Sequence, residues 1–366
     1  MTVTFPRFGA ASLVLPRCFE TLQIPCIPPA LDAEAALEAG REISPEEMCI
    51  PFKYMAGDLK DAYAKGADTV LMPATCGPCR LGEYGQLLME VLEKAGCSFR
   101  WILLDSPSVI GPGELVRRFG SLWDGRRLPA ARTAGALYSS LQLIGKVDAF
   151  WRKAEAAAGY LAQPYEAVKL LHETEQSLRD AEGFSDCFAA LRRGRESLKR
   201  LERKEAARPV KVLVAGEIYT SVEPEANGRL EEQLMALGCS VQRHISVSWW
   251  LRHTAMQMLV PAPVREKVAG GGGKKRGMVC SVGGYGKETV DRILRAGQFD
   301  GIVKVMPVGC MPEIVTKAVC ERIQQEKGCR ILHLIYDEHR GSGGYETRVE
   351  AFVDMLERRK NVLAGN

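Results

Sequence analysis

The chain has 366 residues, 46% of them hydrophobic and 26% charged, with a formal net charge of +4. This composition is that of a soluble globular protein, and the length suits two domains. The small charge and the lack of a dense basic block argue against a nucleic-acid partner. No apolar run reaches roughly 18 residues, so no membrane partner or span is expected. Arg7 and Arg17 interrupt the N-terminal apolar stretch, and no small-residue cleavage pattern follows it. The expected compartment is therefore the cytoplasm.

Residues 1–132 read as a first α/β lobe of alternating strands and helices. Ser44-Pro45-Glu46-Glu47 has the form of a helix start, with serine as cap and proline in the first turn. An amphipathic helix is expected over Phe52 to Ala64, and Lys65-Gly66-Ala67 ends it. Thr69 to Met72 then reads as a buried parallel strand, and Leu87, Leu88, Val91 and Leu92 carry helical spacing. Phe99 to Leu104 is the next strand. Residues 133–207 carry no strand signal and form a helical segment.

Residues 208–366 read as a second α/β lobe, opened by the strand Val210 to Gly216. A helix over 228–237, strands near 239–245 and 278–282, a helix over 287–296 and a strand over 301–306 follow. A helix over 312–327, a strand over 330–336 and a helix over 345–359 complete it. Such alternation predicts a parallel sheet with right-handed crossovers. Gly270 to Lys275 is expected to be a flexible connection.

One short pattern occurs in both lobes. Met72-Pro73-Ala74-Thr75-Cys76-Gly77-Pro78 and Met306-Pro307-Val308-Gly309-Cys310-Met311-Pro312 share Met, Pro, Cys and Pro at the same four positions. Each follows an apolar run and precedes a helical pattern, so each puts a thiol at the carboxyl end of a strand. Open α/β sheets place their ligands there. The first copy adds Cys79, and Cys49 stands at another helix start in the same lobe.

The chain contains 12 cysteines. In a reducing compartment clustered thiols point to metal or redox chemistry, whereas isolated ones are usually small buried hydrophobes. Cys320 and Cys329 read as core. Cys49, Cys76, Cys79 and Cys310 are the candidate ligands, and four thiolates suit either an iron–sulfur cluster or a structural zinc. Cys76-Gly77-Pro78-Cys79 between strand and helix also has the arrangement of a thiol–disulfide motif, although such a motif has no use for Cys310.

Other polar groups lie at strand ends. Glu338 and His339, in Asp337-Glu338-His339, end the strand Ile331 to Tyr336 and are candidate proton-transfer residues or an ordering wall for the cysteine loops. Gly216-Glu217-Ile218-Tyr219 is a similar candidate. Gly283-Gly284-Tyr285-Gly286-Lys287 opens a helix and reads first as a tight turn, with an anion cradle as the alternative. It is not a P-loop, because its glycine spacing is wrong and Glu288 follows the lysine.

Taken together, Glu47 to Lys53, Thr75 to Gly82, Gly216 to Tyr219, Cys310 to Glu313 and Asp337 to His339 resemble the activase-related branch of the 2-hydroxyacyl-CoA dehydratase superfamily. The order and spacing of these motifs match over roughly residues 5 to 360. The resemblance implies two Rossmann-like parallel-sheet lobes joined by a helical segment, with a metal site in the inter-lobe cleft. It implies an oxygen-sensitive iron–sulfur cofactor, [4Fe–4S] first and a double-cubane cluster as the alternative. The implied partner is an ATP-hydrolysing iron–sulfur activator of the actin-like sugar-kinase class, since this chain carries no ATPase motif. Pairing with a second copy or a related subunit is also implied. The implied chemistry is reduction or radical dehydration of a small molecule or acyl-CoA. The competing expectations are an electron-transfer or cluster-carrier subunit and a thiol–disulfide or zinc-stapled scaffold.

Overall fold

The computed structural model describes residues 1–30, 32–73, 83–105, 110–123, 129–259, 278, 282–338 and 342–364. They fall into two compact units, Met1–Gln142 with Val247–Arg276, and Leu143–Ser246 with Gly277–Asn366. Each unit contains a four-stranded parallel sheet. In the first, β1 (Val3–Thr4), β2 (Cys26–Ile27), β3 (Thr69–Pro73) and β4 (Arg100–Leu104) are ordered β2-β1-β3-β4. In the second, β5 (Lys211–Gly216), β6 (Ser240–Arg243), β7 (Gly301–Pro307) and β8 (Ile331–Tyr336) are ordered β6-β5-β7-β8.

The two orders are the same. In each, the first strand is flanked by the second on one side and the third on the other, so the winding reverses beside it. That reversal is the switch point at which open α/β sheets bind ligands. The third strand ends on the proline of the repeated motif in both lobes. Pro307 lies beyond the last pairing of β7 with β5, Gly216 with Val305, so its missing N–H is not needed there.

The first helix pair departs from the sequence reading. Ser44 does not open a helix: it is the C-cap of the helix Ala33–Ile43, with extended backbone (φ −87°, ψ 147°). Pro45 disfavours a helical conformation in the residue before it. The next helix starts at Ile50, with Cys49 as its N-cap. Nor is that helix, Ile50–Ala64, amphipathic over its first half, because every residue from Ile50 to Leu59 is buried. The cause is a close crossing of two helices. A Cβ on Gly40 would stand 1.8 Å from the Lys53 carbonyl oxygen, and one on Gly57 would stand 1.6 Å from that of Ala36.

Helices Ala130–Ala158, Tyr165–Arg179 and Gly183–Arg200 form the expected helical region. Within the second unit Arg243, at the end of β6, pairs with Glu155 of the first of these helices and with Glu231 at 3.4 Å. Its guanidinium also lies 5.8 Å from the Trp151 ring centre. Helices Gly286–Leu294 and Met311–Lys327 cover one face of β5 and β7, where Leu213, Ala215, Val290, Ile293, Ile302, Cys320 and Ile323 form a buried cluster. The strand expected over 278–282 has its interior outside the described residues, and neither Met278 nor Val282 is in a strand. Gly270 to Lys275 also lies outside them.

Gly57→Ala should therefore destabilise the protein by about 3 kcal/mol or more, since the obstacle is backbone. Gly135→Ala, on a helix with open space around the added carbon, should stabilise it by ~0.5–1 kcal/mol. Urea denaturation of the two variants checks the contrast.

Candidate functional site

Helices that return between parallel strands run antiparallel to them, so their N-termini lie at the carboxyl ends of the strands. In the first unit this places Cys49, the cap of helix Ile50–Ala64, at the carboxyl end of the sheet. Cys49 has extended backbone (φ −68°, ψ 154°), and Pro51 occupies the first turn behind it. Its thiol is hydrogen-bonded to the Tyr84 hydroxyl, and the Tyr84 ring meets Phe52 edge-on at 5.2 Å. Tyr84 is the first residue of helix Tyr84–Lys94. Cys49 thus stands against the helix that follows the Cys76–Cys79 segment. Cys76 and Cys79 themselves lie outside the described residues.

The loop leaving β1 is fixed to helix Ile50–Ala64. Arg7 Nε donates to Asp58 Oδ2 at 2.9 Å and Nη2 donates to Oδ1 at 2.6 Å, both side chains being buried. The Arg7 guanidinium lies 5.2 Å from the Tyr54 ring centre.

In the second unit the repeated motif forms a turn and a cap. Gly309 has φ +78°, and the Cys310 N–H donates to the Pro307 carbonyl at 3.3 Å. A glycine with positive φ at the third position of such a turn is a type II signature. Cys310 then caps helix Met311–Lys327 with φ −73° and ψ 96°, and Pro312 lies in its first turn. The Ile314 N–H donates to its carbonyl at 2.9 Å. The side chain is 8% exposed. Cys49 and Cys310 therefore share one local design, Cys-x-Pro with the thiol at a helix N-terminus. The positive end of a helix dipole is a setting that favours an anionic sulfur. Cys76-Gly77-Pro78 repeats that spelling.

Beneath Cys310 lies a buried polar cluster that the sequence reading did not assemble. Lys304, in the middle of β7, pairs with Glu313 Oε2 at 2.6 Å and donates to the Glu313 carbonyl at 3.0 Å. Thr316 Oγ1 lies 2.8 Å from Glu313 Oε2, and Thr289 Oγ1 lies 3.4 Å from Oε1. Glu217 caps helix Ile218–Val222, its Oε1 accepting from Tyr219 N–H and its Oε2 from Thr220 N–H, each at 2.9 Å. Burial pushes the Glu217 carboxyl up, and the nearby Glu313 adds to the push, while the Thr220 and Tyr219 hydrogen bonds oppose it. Gly216 permits this approach: its φ is +150°, and a Cβ would sit 1.9 Å from the Val305 carbonyl oxygen.

The remaining candidates sort by position. Glu338 follows β8 and is half-buried. The Val308 N–H donates to the Tyr336 carbonyl at 2.9 Å, so the chain leaves β8 beside the Cys310 turn. His339 lies outside the described residues. Gly284 and Gly286 serve the tight turn: a Cβ on Gly286 would stand 2.8 Å from Thr316 Cγ2, and one on Gly284 3.4 Å from Pro312. Several other cysteines are raised by burial, Cys26, Cys239 and Cys320 to about 12. Such thiols are poor thiolate donors. Among the described residues no group of three or more His, Cys, Asp or Glu is placed to hold a metal ion.

Removing one partner from a buried ion pair leaves the other charge uncompensated. Lys304→Met should therefore lose ~3–5 kcal/mol of stability, and Lys304→Met with Glu313→Leu should regain most of it; chemical denaturation measures both. His333, opposite Lys304 on β8, is pushed down to about 4 by burial and then by Lys304, Lys317 and Arg348. Its folded form resists the proton that the unfolded chain binds from its ordinary value near ~6.5 downward. That contribution to stability is present above ~6.5 and is lost as pH falls toward about 4. His333→Gln should flatten this part of a stability–pH profile.

No family model matches this chain, and no curated protein matches it in a sequence search.

Proposed function

We propose that this protein is an iron–sulfur protein of the 2-hydroxyacyl-CoA dehydratase type, with Cys49, Cys76, Cys79 and Cys310 as its ligands. The observation that carries this reading is the shared design of Cys49 and Cys310, each an N-cap followed by proline at the ligand-binding end of a parallel sheet. The donor set fits the group. Thiolates suit iron, and the N-terminal N–H groups of the two helices suit an anionic cluster. A [4Fe–4S] cluster is the first choice, and a double-cubane cluster is the alternative.

When bound, such a cluster supplies one-electron chemistry at low potential. The protein's own residues orient the sulfurs through the two caps and exclude water through the buried clusters behind them. Glu338 and His339, after β8, are the proposed proton-transfer residues for the small molecule or acyl-CoA being reduced or dehydrated. The electron source is an ATP-hydrolysing iron–sulfur activator of the actin-like sugar-kinase class, and the functional unit is a dimer with a second copy or a related subunit. The proposed compartment is the cytoplasm. Among the described residues no helix is long and apolar enough to cross a membrane.

Anaerobic purification with iron, sulfide and zinc analysis tests the reading. A brown protein with about four irons per chain is expected. Cys49→Ser, Cys76→Ser, Cys79→Ser and Cys310→Ser should each lower iron content, while Cys320→Ser, at a fully buried core thiol, should not. Stoichiometric zinc without colour would overturn the redox reading and leave a stapled scaffold. A cluster that reduces readily but turns over no substrate would favour an electron carrier.

A further inference from the structure

The buried polar cluster of the second unit contains one ammonium and two carboxylates. If both acids are ionised, the cluster carries an excess negative charge away from water, which is expensive in a low-dielectric interior. Its hydroxyls have a common geometry. Thr220 Oγ1 lies 3.2 Å from the Glu217 carbonyl oxygen and 3.1 Å from Glu217 Oε2. Thr289 Oγ1 lies 3.3 Å from the Gly216 carbonyl oxygen and 3.4 Å from Glu313 Oε1. Thr316 Oγ1 lies 2.9 Å from the Glu313 carbonyl oxygen and 2.8 Å from Glu313 Oε2. All three threonines are fully buried.

Each hydroxyl thus stands between a main-chain carbonyl and a carboxylate oxygen. It has one proton to donate and can also accept. With the carboxylate ionised, the hydroxyl donates to it. With the acid protonated, the hydroxyl turns to the carbonyl and accepts from the acid. The cluster is built to satisfy both protonation states without moving a heavy atom.

We infer that Glu217 takes up one proton when the group held at Cys310 gains one electron. The inference rests on the proposed iron–sulfur reading and deepens it. The electron comes from a low-potential one-electron donor, and the proton comes from solvent to Glu217 Oε2. No other bond forms or breaks. Among the described residues the charged groups facing Glu217 are Glu313, from the helix that Cys310 caps, and Lys304, from β7 through Glu313. His333 on β8 faces Lys304 and is held neutral at ordinary pH. Two observations single out Glu217 rather than Glu313 as the acceptor. Glu313 has the ammonium at 2.6 Å, whereas among the described residues Glu217 accepts from the neutral Tyr219 and Thr220 groups. Added negative charge near Cys310 then favours the acid that lacks a cation.

The test is the midpoint potential of the anaerobically reconstituted protein as a function of pH. The potential should fall by ~59 mV for each tenfold drop in proton concentration over part of the range. In Glu217→Gln, which keeps an oxygen acceptor for the helix cap, it should be flat. Infrared difference spectra of the wild type on reduction should gain a protonated-carboxyl band, which Glu217→Gln should lack. A pH-independent potential in a cluster-bearing wild type, or a slope surviving in Glu217→Gln, would overturn the inference and leave the iron–sulfur reading standing. A protein that binds no cluster would overturn both, and metal analysis separates the two failures.

Discussion

The ion pair between Lys304 and Glu313 is the constraint on which the second lobe is organised. β7 is buried along its whole length, and its side chains alternate between the two faces of the sheet. Lys304 therefore points to the same face as Ile302, into the layer where helix Met311–Lys327 packs. A buried ammonium must have a partner, and among the described residues the first turn of that helix supplies its carboxylate. The pairing pulls the helix start onto the strand's carboxyl end. It leaves Cys310 as the residue that makes the transition from turn to helix, and it sets Thr289, Thr316 and Gly216 around the pair. A chain with leucine at 304 could keep the sheet and lose the reason for the cap to sit where it does.

Close backbone approach does comparable work. Gly216 lets the end of β5 reach the Val305 carbonyl, and the Glu217 N–H then donates to that carbonyl at 3.0 Å. In the first lobe Gly40 and Gly57 let two helices touch main chain to main chain, which buries the Cys49 helix on all sides of its first half. In both lobes the cysteine sits on a helix whose position is over-determined by contacts behind it. Preorganisation of that kind is what a metal site needs, since ligands held in place lose little freedom on binding.

Much of this was readable in the sequence. The repeated Met-Pro-x-x-Cys-x-Pro marks the third strand of both lobes, and each copy of the proline ends its strand. Strand alternation gave two parallel sheets, and the end of β8 was placed at Tyr336. The helix starts were harder. Ser44-Pro45 has every local mark of an N-cap, yet proline's effect on the residue before it closes one helix instead of opening another. The polar cluster was hidden for a different reason. Lys304 stands in an apolar run and Glu313 in a helical turn, and nothing local says they meet. The clue was the run itself, because a lysine inside a strand buried on both faces demands a buried partner.

The two lobes repeat a topology but not an electrostatic solution. In the first, Arg7 and Asp58 form a bidentate pair, and a guanidinium does not give up its proton in proteins. That pair has one charge state and serves as a fixed tie between the β1 loop and the Cys49 helix. In the second, a lysine shares its surroundings with two acids, and three threonine hydroxyls stand ready to donate or accept. This arrangement has more than one charge state within reach. The two lobes share a strand order and cysteine caps, while the groups behind the caps differ: an arginine–aspartate tie in one lobe and a lysine–glutamate–threonine cluster in the other. Such a division gives one anchoring half and one half able to answer a change of charge at its cysteine.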